Sequence, residues 1–423
     1  MSEGSNTPPS LSAGNDPVAL GSTSWIGADN YESGGDFHDR ALKTLNEINW
    51  DRLLTISSSL RNGTSCRISQ SFSIGHFNMV RRIEFADGIS WVARVRLPEM
   101  KSFFGDREML DDAETLRVEL ASMNFLKRAK TSIPVPEVHS YNADPANDVG
   151  ASYVLMDYIH GTVASELRSA KECHPLFGTP EQDRHFREQM AEIQVTLSTF
   201  KFDQIGSLYQ DENTSEFLIG PDLVTGKGPW KSSAEYYNDV ADHALRACLQ
   251  SSPDLQETPS FTLPILFKHL MSVYSNNSSD DSFSLVNRDF GAHNLLVDDE
   301  FRIVGVIDFD GMMAAPIEVV AQYPVLTGLD QEPPGHIETN LYAIERIKET
   351  KPKLKEYKEM VRAAESRLGG SETVTRIADL LESDAASVFH GILSYQQHQD
   401  FVNDEWMLAY TKLLRDHAKS RGD

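Results

Sequence analysis

The sequence predicts an α+β protein with two lobes, a small β-rich lobe over residues 36–157 and a larger, mainly helical lobe over residues 158–423. Three observations predict this class. The chain has 423 residues, which is too long for one compact core. Segments with strand character are concentrated before residue 158, and most of the remainder has helical periodicity. An apolar hairpin over residues 295–307 is the exception in the helical part.

Composition indicates an ordinary globular protein with an acidic surface. Hydrophobic residues make up 40% of the chain and charged residues 24%, which is normal for globular proteins. There are 39 Lys and Arg against 63 Asp and Glu, a formal net charge of −24. This balance disfavours nucleic acid as a partner, because phosphates are bound by basic surfaces. A cationic substrate would fit the charge, but an acidic solvent-exposed surface is the simpler explanation.

Cysteine usage and hydropathy predict a cytoplasmic location with no membrane partner. The three cysteines, Cys66, Cys173 and Cys248, are far apart and show no CxxC spacing. A reducing compartment is therefore expected, and a structural zinc site is not. The first residues contain neither a basic region followed by an apolar one nor an Arg-rich transit pattern. No apolar run reaches the length of about 18 residues that a membrane span requires.

The small lobe is predicted to begin after a disordered extension over residues 1–35, which is rich in Ser, Gly, Pro and Asn. An amphipathic helix then ends at Asn62-Gly63. The segments "MVRRIEF" and "ISWVARV" form a hairpin around Ala86-Asp87-Gly88. A helix follows over roughly 111–128, and "SYVLMDYI" is expected to be a buried strand.

The large lobe is predicted to be mostly helical. A polar loop over residues 275–282 precedes the stretch that contains the hairpin. The last 85 residues or so are charged and helical, with "KETKPKLKEYKEMVRAAESRLGG" as the clearest segment.

The stretch "VNRDFGAHNLLVDDEFRIVGVIDFDG" carries the chemistry. Asp289 is followed five residues later by Asn294, and an apolar hairpin then leads to Asp308. Phosphoryl transfer from ATP needs a carboxylate that orients the acceptor hydroxyl and oxygen ligands for Mg²⁺. The spacing is that of a kinase-type catalytic loop. It predicts Asp289 as the base and Asn294 and Asp308 as metal ligands.

Each of these three residues alone has a structural explanation, since Asp and Asn are common turn formers and Asp289 could be a capping residue. Together, and with the apolar hairpin between them, they favour catalysis. Asp310 could be a second ligand or a solvated turn residue, and we favour the turn.

Upstream segments supply the expected ATP contacts. "WVARV" is similar to the V-A-I-K strand of kinases, with Arg94 in the position of the lysine. Arg96 is an alternative, because it lies on the same face of the strand. Glu119 is placed on the following helix to pair with this arginine, and Glu114 is the alternative. "SIGHFN" would be the turn over the phosphates, with Gly75 as its one glycine.

Two other motifs do not support the phosphate-binding loop or the metal site that they suggest at first. "GPDLVTGKG" has too many residues between its glycines for a phosphate-binding P-loop, and Gly228 stands where Ser or Thr is needed. His174 and His293 have no partners at metal-ligand spacing, so they are interpreted as ordinary polar or packing residues.

The chain resembles the aminoglycoside phosphotransferase (APH) and choline kinase-like family, especially its fungal members. The matching segments span about residues 66–327 and include "SFSIGHFNMV", "DGISWVARVRLP", "VELASMNFL", "IPVPEV", "YVLMDYIHGT", "FDQIGSLY", "RDFGAHNLLVDD" and "VIDFDG". The family pattern H-G-D-x4-N corresponds to Asn287-Arg288-Asp289 and Asn294. The family's I-D-[WF] corresponds to Ile307-Asp308-Phe309.

The resemblance implies a bilobal protein-kinase-like fold with ATP between the lobes. It implies that Met156 is the gatekeeper and that the Asp157 carbonyl and the Ile159 amide contact adenine. Two departures stand out. Asn287 and Arg288 replace the family's His and Gly, and Arg288 could perturb the pKa of the base or bind a substrate anion. Arg94 replaces the lysine of the bacterial enzymes, as in many members.

The predicted activity is ATP-dependent transfer of the γ-phosphate to a hydroxyl of a small molecule, with Mg²⁺ as cofactor. A protein kinase is one alternative, but only four residues separate Gly311 from Pro316, which leaves no room for a peptide-docking activation segment. A pseudokinase or ATP-binding interaction protein is the other, although the base and both metal ligands are present. The motifs do not specify the acceptor, which could be an amino sugar, an amino alcohol or a specialised metabolite.

Overall fold

The computed structural model describes residues 25–26, 34–75, 77–98, 112–251, 258–275, 282–329, 341–368, 377–397 and 404–421. The predicted disordered extension over residues 1–35 lies almost wholly outside these ranges. Residues 276–281 of the predicted polar loop also lie outside them. Among the helices of the described ranges, none combines the length and the apolar character needed to cross a membrane.

The chain divides into two compact units, Met1–Ala113 with Pro136–Ile159, and Glu114–Val135 with His160–Asp423. The first unit is rich in β structure and the second is mainly helical, as the α+β class predicts. The sequence-based division at residue 158 differs from this one in the helix after the first hairpin, which groups with the second unit from Glu114 onward. The aromatic ring of Phe125 on that helix packs against Phe200 and Phe217, which explains the grouping.

Among its described residues, the first unit contains two helices and one sheet. Their bounds are α1 Asp36–Glu47, α2 Trp50–Leu60, β1 Trp25–Ile26, β2 Cys66–Ile74, β3 Asn78–Phe85, β4 Ser90–Arg96, β5 Val138–Asn142 and β6 Tyr153–Asp157. The prediction of one continuous helix before Asn62 is wrong, because the chain breaks at Ile48 and Asn49. The Asn49 side chain accepts a hydrogen bond of 3.1 Å from the Arg52 N–H and so caps a new helix.

The sheet of the first unit has the strand order β1-β2-β3-β4-β6-β5. The predicted hairpin of β3 and β4 is confirmed, and Gly88 takes φ +87 in its turn, a value that favours glycine. Buried and half-buried residues alternate along both strands. Met79, Ile83 and Val95 are completely buried and form the core with α1 and α2. This alternation is the period of two from which the hairpin was predicted.

The second unit contains ten helices among its described residues. They are α3 Asp112–Arg128, α4 Ala164–Ala170, α5 Pro180–Ser198, α6 Ser233–Ser251, α7 Thr258–Ser275, α8 Ile317–Val320, α9 Leu341–Leu368, α10 Ile377–Leu380, α11 Asp384–Gln397 and α12 Asp404–Arg421. The start of α5 is fixed by a capping box, in which the side chains of Thr179 and Gln182 each accept from the other's backbone N–H.

The second unit also contains more β structure than the sequence predicts. Its strands are β7 Thr162–Val163, β8 Lys201–Phe202, β9 Gly206–Gln210, β10 Phe217–Gly220, β11 Phe283–Asn287, β12 Leu295–Val297, β13 Ile303–Val306 and β14 Met312–Ala315. Five of them form a sheet of order β10-β9-β14-β11-β8, so the prediction of one isolated hairpin is wrong. Strands β11 and β14 are buried at every residue, so they lack the alternation that identifies a strand in a sequence.

The predicted hairpin over residues 295–307 is confirmed. Strands β12 and β13 pair in antiparallel fashion, and β7 extends them to a three-stranded sheet. Asp298 forms the turn, because its carboxylate accepts from the backbone N–H groups of Glu300 and Arg302 at 3.0 and 2.9 Å. The hairpin thus returns the chain to the first residue of β12, which directly follows Asn294.

Candidate active site

The loop after β11 is held rigidly on both sides. The Phe290 carbonyl accepts from the Val325 N–H at 3.0 Å, and the Ala292 N–H donates to the Val325 carbonyl at 3.1 Å. A Cβ at Gly291 would lie 2.4 Å from the Val325 carbonyl oxygen, so only glycine fits this approach. The side chains of Phe290 and Ala292 are buried beneath the loop. These contacts fix the backbone from which Asp289 and Asn294 project.

Within this loop the Asp289 carboxylate is anchored through one oxygen. Its Oδ2 lies 3.0 Å from the Asn294 Nδ2 and 3.1 Å from the His293 Nε2. The Asn294 Nδ2 also donates to the Asp289 backbone carbonyl at 3.0 Å. Oδ1 accepts no hydrogen bond from the part of the chain that the structure describes, and the side chain is 46% exposed. The arrangement therefore orients the carboxylate and leaves one of its oxygens for a ligand.

Asn287 connects the loop to the segment that carries Asp308. Its Oδ1 accepts from the Asp289 N–H at 3.0 Å, and its Nδ2 donates to the Asp308 carbonyl at 3.2 Å. The Arg288 N–H donates to the Gly311 carbonyl at 3.1 Å, which joins the same two segments again. The side chain of Asn287 is buried. An asparagine thus uses both ends of its amide in the position where the family pattern has histidine.

The predicted metal ligands Asn294 and Asp308 both lie at the open end of the hairpin, next to its first and last strand. The Ile307 N–H donates to the Asn294 carbonyl at 3.0 Å, so Asp308 follows directly after a residue bonded to Asn294. Asp308 has φ +63, a strained value for a residue with a side chain. Asp310 lies two residues on, in the turn before β14.

The donor atoms at this place suit Mg²⁺. Because the Asn294 amide nitrogen is used by Asp289, its oxygen is left as the possible ligand atom. Mg²⁺ prefers oxygen ligands and keeps several waters, so one carboxylate and one amide oxygen are sufficient. The described residues contain no cluster of three or more His, Cys, Asp or Glu that could hold a metal ion, which excludes a multi-carboxylate cage among them.

Arg288 does not project freely beside the base. Its Nη2 donates to the Asp222 Oδ1 at 2.7 Å, and the Asp222 side chain is fully buried. Burial lowers the pKa of Arg288. The Asp222 carboxylate and Tyr236 raise this pKa by more than burial lowers it, so it lies above its ordinary value. The guanidinium is therefore charged and paired.

The predicted nucleotide residues of the first unit lie on its sheet. The Gly75 N–H donates to the Asn78 carbonyl at 2.9 Å and closes the turn between β2 and β3. A Cβ on Gly75 would have no neighbour within 4 Å, so packing does not require glycine there. Arg94 pairs with Val154, and Met156 with Val92, in the ladder of β4 and β6. These residues share one unit, while their contacts to nucleotide remain predictions.

The segment predicted to contact adenine begins at Asp157, the last residue of β6. The Asp157 carboxylate accepts from the Glu137 N–H at 3.2 Å and lies 2.8 Å from the His139 Nε2. His139 in turn stacks on Trp91 with a ring distance of 3.9 Å. The Ile159 N–H donates to no described residue. An amide in this state could donate to adenine, as the resemblance implies.

The alternatives at the arginine and glutamate positions have defined partners. Arg96 forms an ion pair with Asp112, and its guanidinium lies 4.8 Å from the centre of the Phe77 ring. Glu114 forms an ion pair with Arg117. Glu119 is buried on α3. Arg94 and Glu119 belong to different units, so their pairing remains a prediction.

Sequence patterns indicate no role for His293 and favour an ordinary polar or packing residue at this position. The structure places its Nε2 against the carboxylate of Asp289. The spacing of four residues within one tight loop is the sequence feature that could have indicated this contact.

The fold and the loop geometry define the class of the kinase-like phosphotransferases. A family model described as the phosphotransferase enzyme family (APH) matches residues 77–319, which is more than half of the chain. The chain belongs to this family. The resemblance inferred from the motifs is thereby confirmed, together with the protein-kinase-like α+β fold.

Curated relatives match only in part. A subtelomeric hrmA-associated cluster protein of Aspergillus fumigatus is 30% identical over 157 residues, which are 35% of this chain and 27% of that protein. Altered inheritance of mitochondria protein 9, mitochondrial, of Candida tropicalis is 32% identical over 191 residues, 43% of this chain and 30% of that protein. The chain thus spans less than a third of the length of these two relatives.

Two of the solved structures to which the chain is similar are phosphotransferases. Aminoglycoside phosphotransferase APH(4)-Ia is 18% identical with a TM-score of 0.45, covering 85% of this chain and 96% of that one. Macrolide 2'-phosphotransferase MphH from Brachybacterium faecium is 14% identical with a TM-score of 0.42, covering 85% and 96%.

Proposed function

We propose that this protein is an ATP-dependent phosphotransferase that moves the γ-phosphate to a hydroxyl of a small molecule. The observation that supports the proposal is the difference between the environments of the two carboxylate oxygens of Asp289. One carboxylate oxygen is held by two side chains, and the other is open on a half-exposed side chain. A base that orients an acceptor hydroxyl must present one carboxylate oxygen to it in a fixed direction. The contacts of the other oxygen with His293 and Asn294 support this role for Asp289.

In this proposal Asp289 accepts the proton of the acceptor hydroxyl. Asn294 and Asp308 would hold Mg²⁺, which when bound neutralises phosphate charge. In the first unit, Arg94 would contact the inner phosphates and the Ile159 N–H would meet adenine. Asn287 supports the arrangement, because it joins the backbone of Asp289 to that of Asp308.

The segment after Asp308 favours a small acceptor over a protein substrate. Residues Met312–Ala315 form a buried strand that pairs with β9 on one side and β11 on the other. A protein kinase needs an accessible activation segment at this place. A small acceptor also agrees with the hygromycin B in one solved structure of APH(4)-Ia, a compound bound by that protein. The net charge of −24 disfavours nucleic acid as the acceptor.

A pseudokinase is the second candidate, because two curated relatives are named without reference to a kinase activity. It would bind ATP without turning it over. The presence of Asp289, Asn294 and Asp308 in one connected arrangement favours the enzyme.

The test is Asp289→Asn, which keeps the shape of the side chain and removes the base. We predict that turnover of Mg²⁺-ATP falls by about 10²–10⁴-fold, the usual contribution of a positioned base. ATP affinity, measured by calorimetry, should stay nearly unchanged. Turnover is followed as labelled phosphate transferred to a metabolite extract or to water.

The matched control is Asp299→Asn, a change of the same kind in the exposed turn of the hairpin. Turnover of Asp289→Asn within about threefold of the wild type would remove Asp289 from its role, given the expected contribution of a base. ATP binding without turnover in the wild type would favour the pseudokinase.

We also propose a cytoplasmic location, on the cysteine usage of the chain. The relative from Candida tropicalis is named as a mitochondrial protein. Imaging of the full chain with a C-terminal fluorescent tag tests the proposal, and a mitochondrial pattern would contradict it.

A further inference from the structure

His293 lies between two residues of the proposed site and contacts both. Its Nε2 is 3.1 Å from the Asp289 Oδ2 and 3.1 Å from the Asn294 Nδ2. Its Nδ1 is buried and has no hydrogen-bond partner among the described residues. The imidazole side chain is 29% exposed. The ring is therefore fixed with one nitrogen towards the carboxylate and the other in the interior.

These contacts select the tautomer of the neutral ring. With the proton on Nε2, the imidazole donates to the carboxylate and buries only a lone pair at Nδ1. With the proton on Nδ1, a buried N–H would have no acceptor, and the Nε2 lone pair would face the negative Oδ2. An unpaired buried donor is unfavourable, and two facing acceptors repel each other. The Nε2–H tautomer avoids both.

The Asn294 amide is consistent with this assignment. Its Nδ2 carries two hydrogens, and the carbonyl and the Oδ2 of Asp289 both accept from it at 3.0 Å. Its contact with the His293 Nε2 is then a van der Waals contact between two donors that share one acceptor oxygen. Two donors at Oδ2 hold the carboxylate more firmly than either alone.

We propose that His293 is the positioning residue of the base Asp289. Its Nε2–H fixes Oδ2, and so Oδ1 is directed to the acceptor hydroxyl. The inference deepens the proposed function and rests on it.

The first experiment measures Mg²⁺-ATP turnover with water as acceptor in His293→Leu and His293→Gln. Leucine removes the donor, while the Gln amide can place an N–H near the position of Nε2. We expect kcat to fall about tenfold in His293→Leu, as for loss of one hydrogen bond to a charged group, with KM for ATP unchanged. His293→Gln should recover most of the loss. His185→Leu is the control, since His185 is exposed on α5.

A kcat of His293→Leu equal to the wild-type value would overturn the inference. A His293→Gln variant as slow as His293→Leu would also overturn it, because packing rather than donation would then explain the effect. A rise in KM for ATP as large as the fall in kcat would indicate general disruption of the site. That result would also overturn the inference.

The second experiment does not depend on turnover. Imidazole ¹⁵N chemical shifts of the full chain report which ring nitrogen carries the proton, and His293→Gln assigns the signal. We expect a protonated Nε2, with a shift that changes in Asp289→Asn. An unprotonated Nε2 overturns the inference even if the enzyme is active. If the wild type does not turn over ATP, the proposed function fails and His293 loses its role in catalysis, whatever its tautomer.

Discussion

Asp308 and Asp310 stand two residues apart after the end of β13, and Asp308 is bonded through its backbone to the loop of Asp289. The Asp308 carbonyl accepts from the Asn287 side chain, and the preceding residue Ile307 bonds to Asn294. A carboxylate at such a half-buried place is costly to desolvate unless a cation meets it. Because Asp310 is half-buried as well, it is the backbone connection to the Asp289 loop that favours Asp308 as the proposed magnesium ligand.

We predict that Asp308→Ala abolishes the enhancement of ATP affinity by Mg²⁺ and that Asp310→Ala retains it. ATP binding is measured by calorimetry with and without Mg²⁺ in both variants. The two substitutions remove the same group, so each is the control of the other. The reverse result would assign the metal to Asp310.

At the scale of residues, the sequence proposes members of a site, and the structure adds the hydrogen-bond partners of each. Asp289, Asn294 and Asp308 follow from spacing, because phosphoryl transfer needs few groups in a fixed order. The bonds of Asn287 to both segments and of His293 to Asp289 depend on how one loop turns back on itself. Local sequence does not encode such a turn in a periodic pattern.

At the scale of elements, β4 presents two arginines on one face. Arg94 and Arg96 alternate with the buried residues Ala93 and Val95. Arg96 already pairs with Asp112 and lies over Phe77. The contact of Arg94 with the inner phosphates of ATP remains a prediction, made from its position in the kinase-like strand motif.

We predict that Arg94→Ala weakens ATP binding, that Glu119→Ala weakens it less, and that Arg96→Ala leaves it nearly unchanged. Glu119 acts only through Arg94 in this account, which explains the smaller effect. Affinities come from calorimetric titration with ATP, and circular dichroism checks that each variant is folded. If only Arg96→Ala lost affinity for ATP, the phosphates would be bound by Arg96, two residues further along the same face of β4, and not by Arg94.

Elements with one buried face are predicted from sequence, whereas among the strands buried on both faces β6 is predicted and β11 and β14 are not. The hairpin of β3 and β4 shows alternation, so its period identifies it. Strands β11 and β14 are buried throughout and only five and four residues long, so they lack the alternation that distinguishes a strand from a buried helix segment. The break between α1 and α2 depends on the Asn49 cap within an otherwise continuous amphipathic pattern.

At the scale of the whole molecule, composition indicated two lobes, while the boundary between the units depends on packing that composition does not contain. The contacts that organise the second unit connect segments far apart in sequence. The buried ion pair of Arg288 and Asp222 joins residues separated by 66 positions. It ties the segment after β10 to the loop that carries Asp289. A pair of this kind cannot be predicted from spacing, because its partners meet only in the folded chain.

We predict that Asp222→Asn destabilises the second unit by about 3–5 kcal/mol, the cost of leaving one member of a buried ion pair without its partner. Asparagine keeps the size of the side chain and can still accept from the Thr225 N–H, which bonds to Asp222 Oδ2 at 3.0 Å. The loss therefore reports the buried charge of Arg288 rather than the turn. The control is Glu188→Gln, which removes the exposed pair of Glu188 with Arg184 on α5. Its effect should be about 0.3–0.5 kcal/mol, as for other surface pairs one helical turn apart. Stabilities are compared by urea denaturation of the full chain. Equal stability of the two variants would mean that water reaches Arg288 and that the pair does not hold the catalytic loop in place.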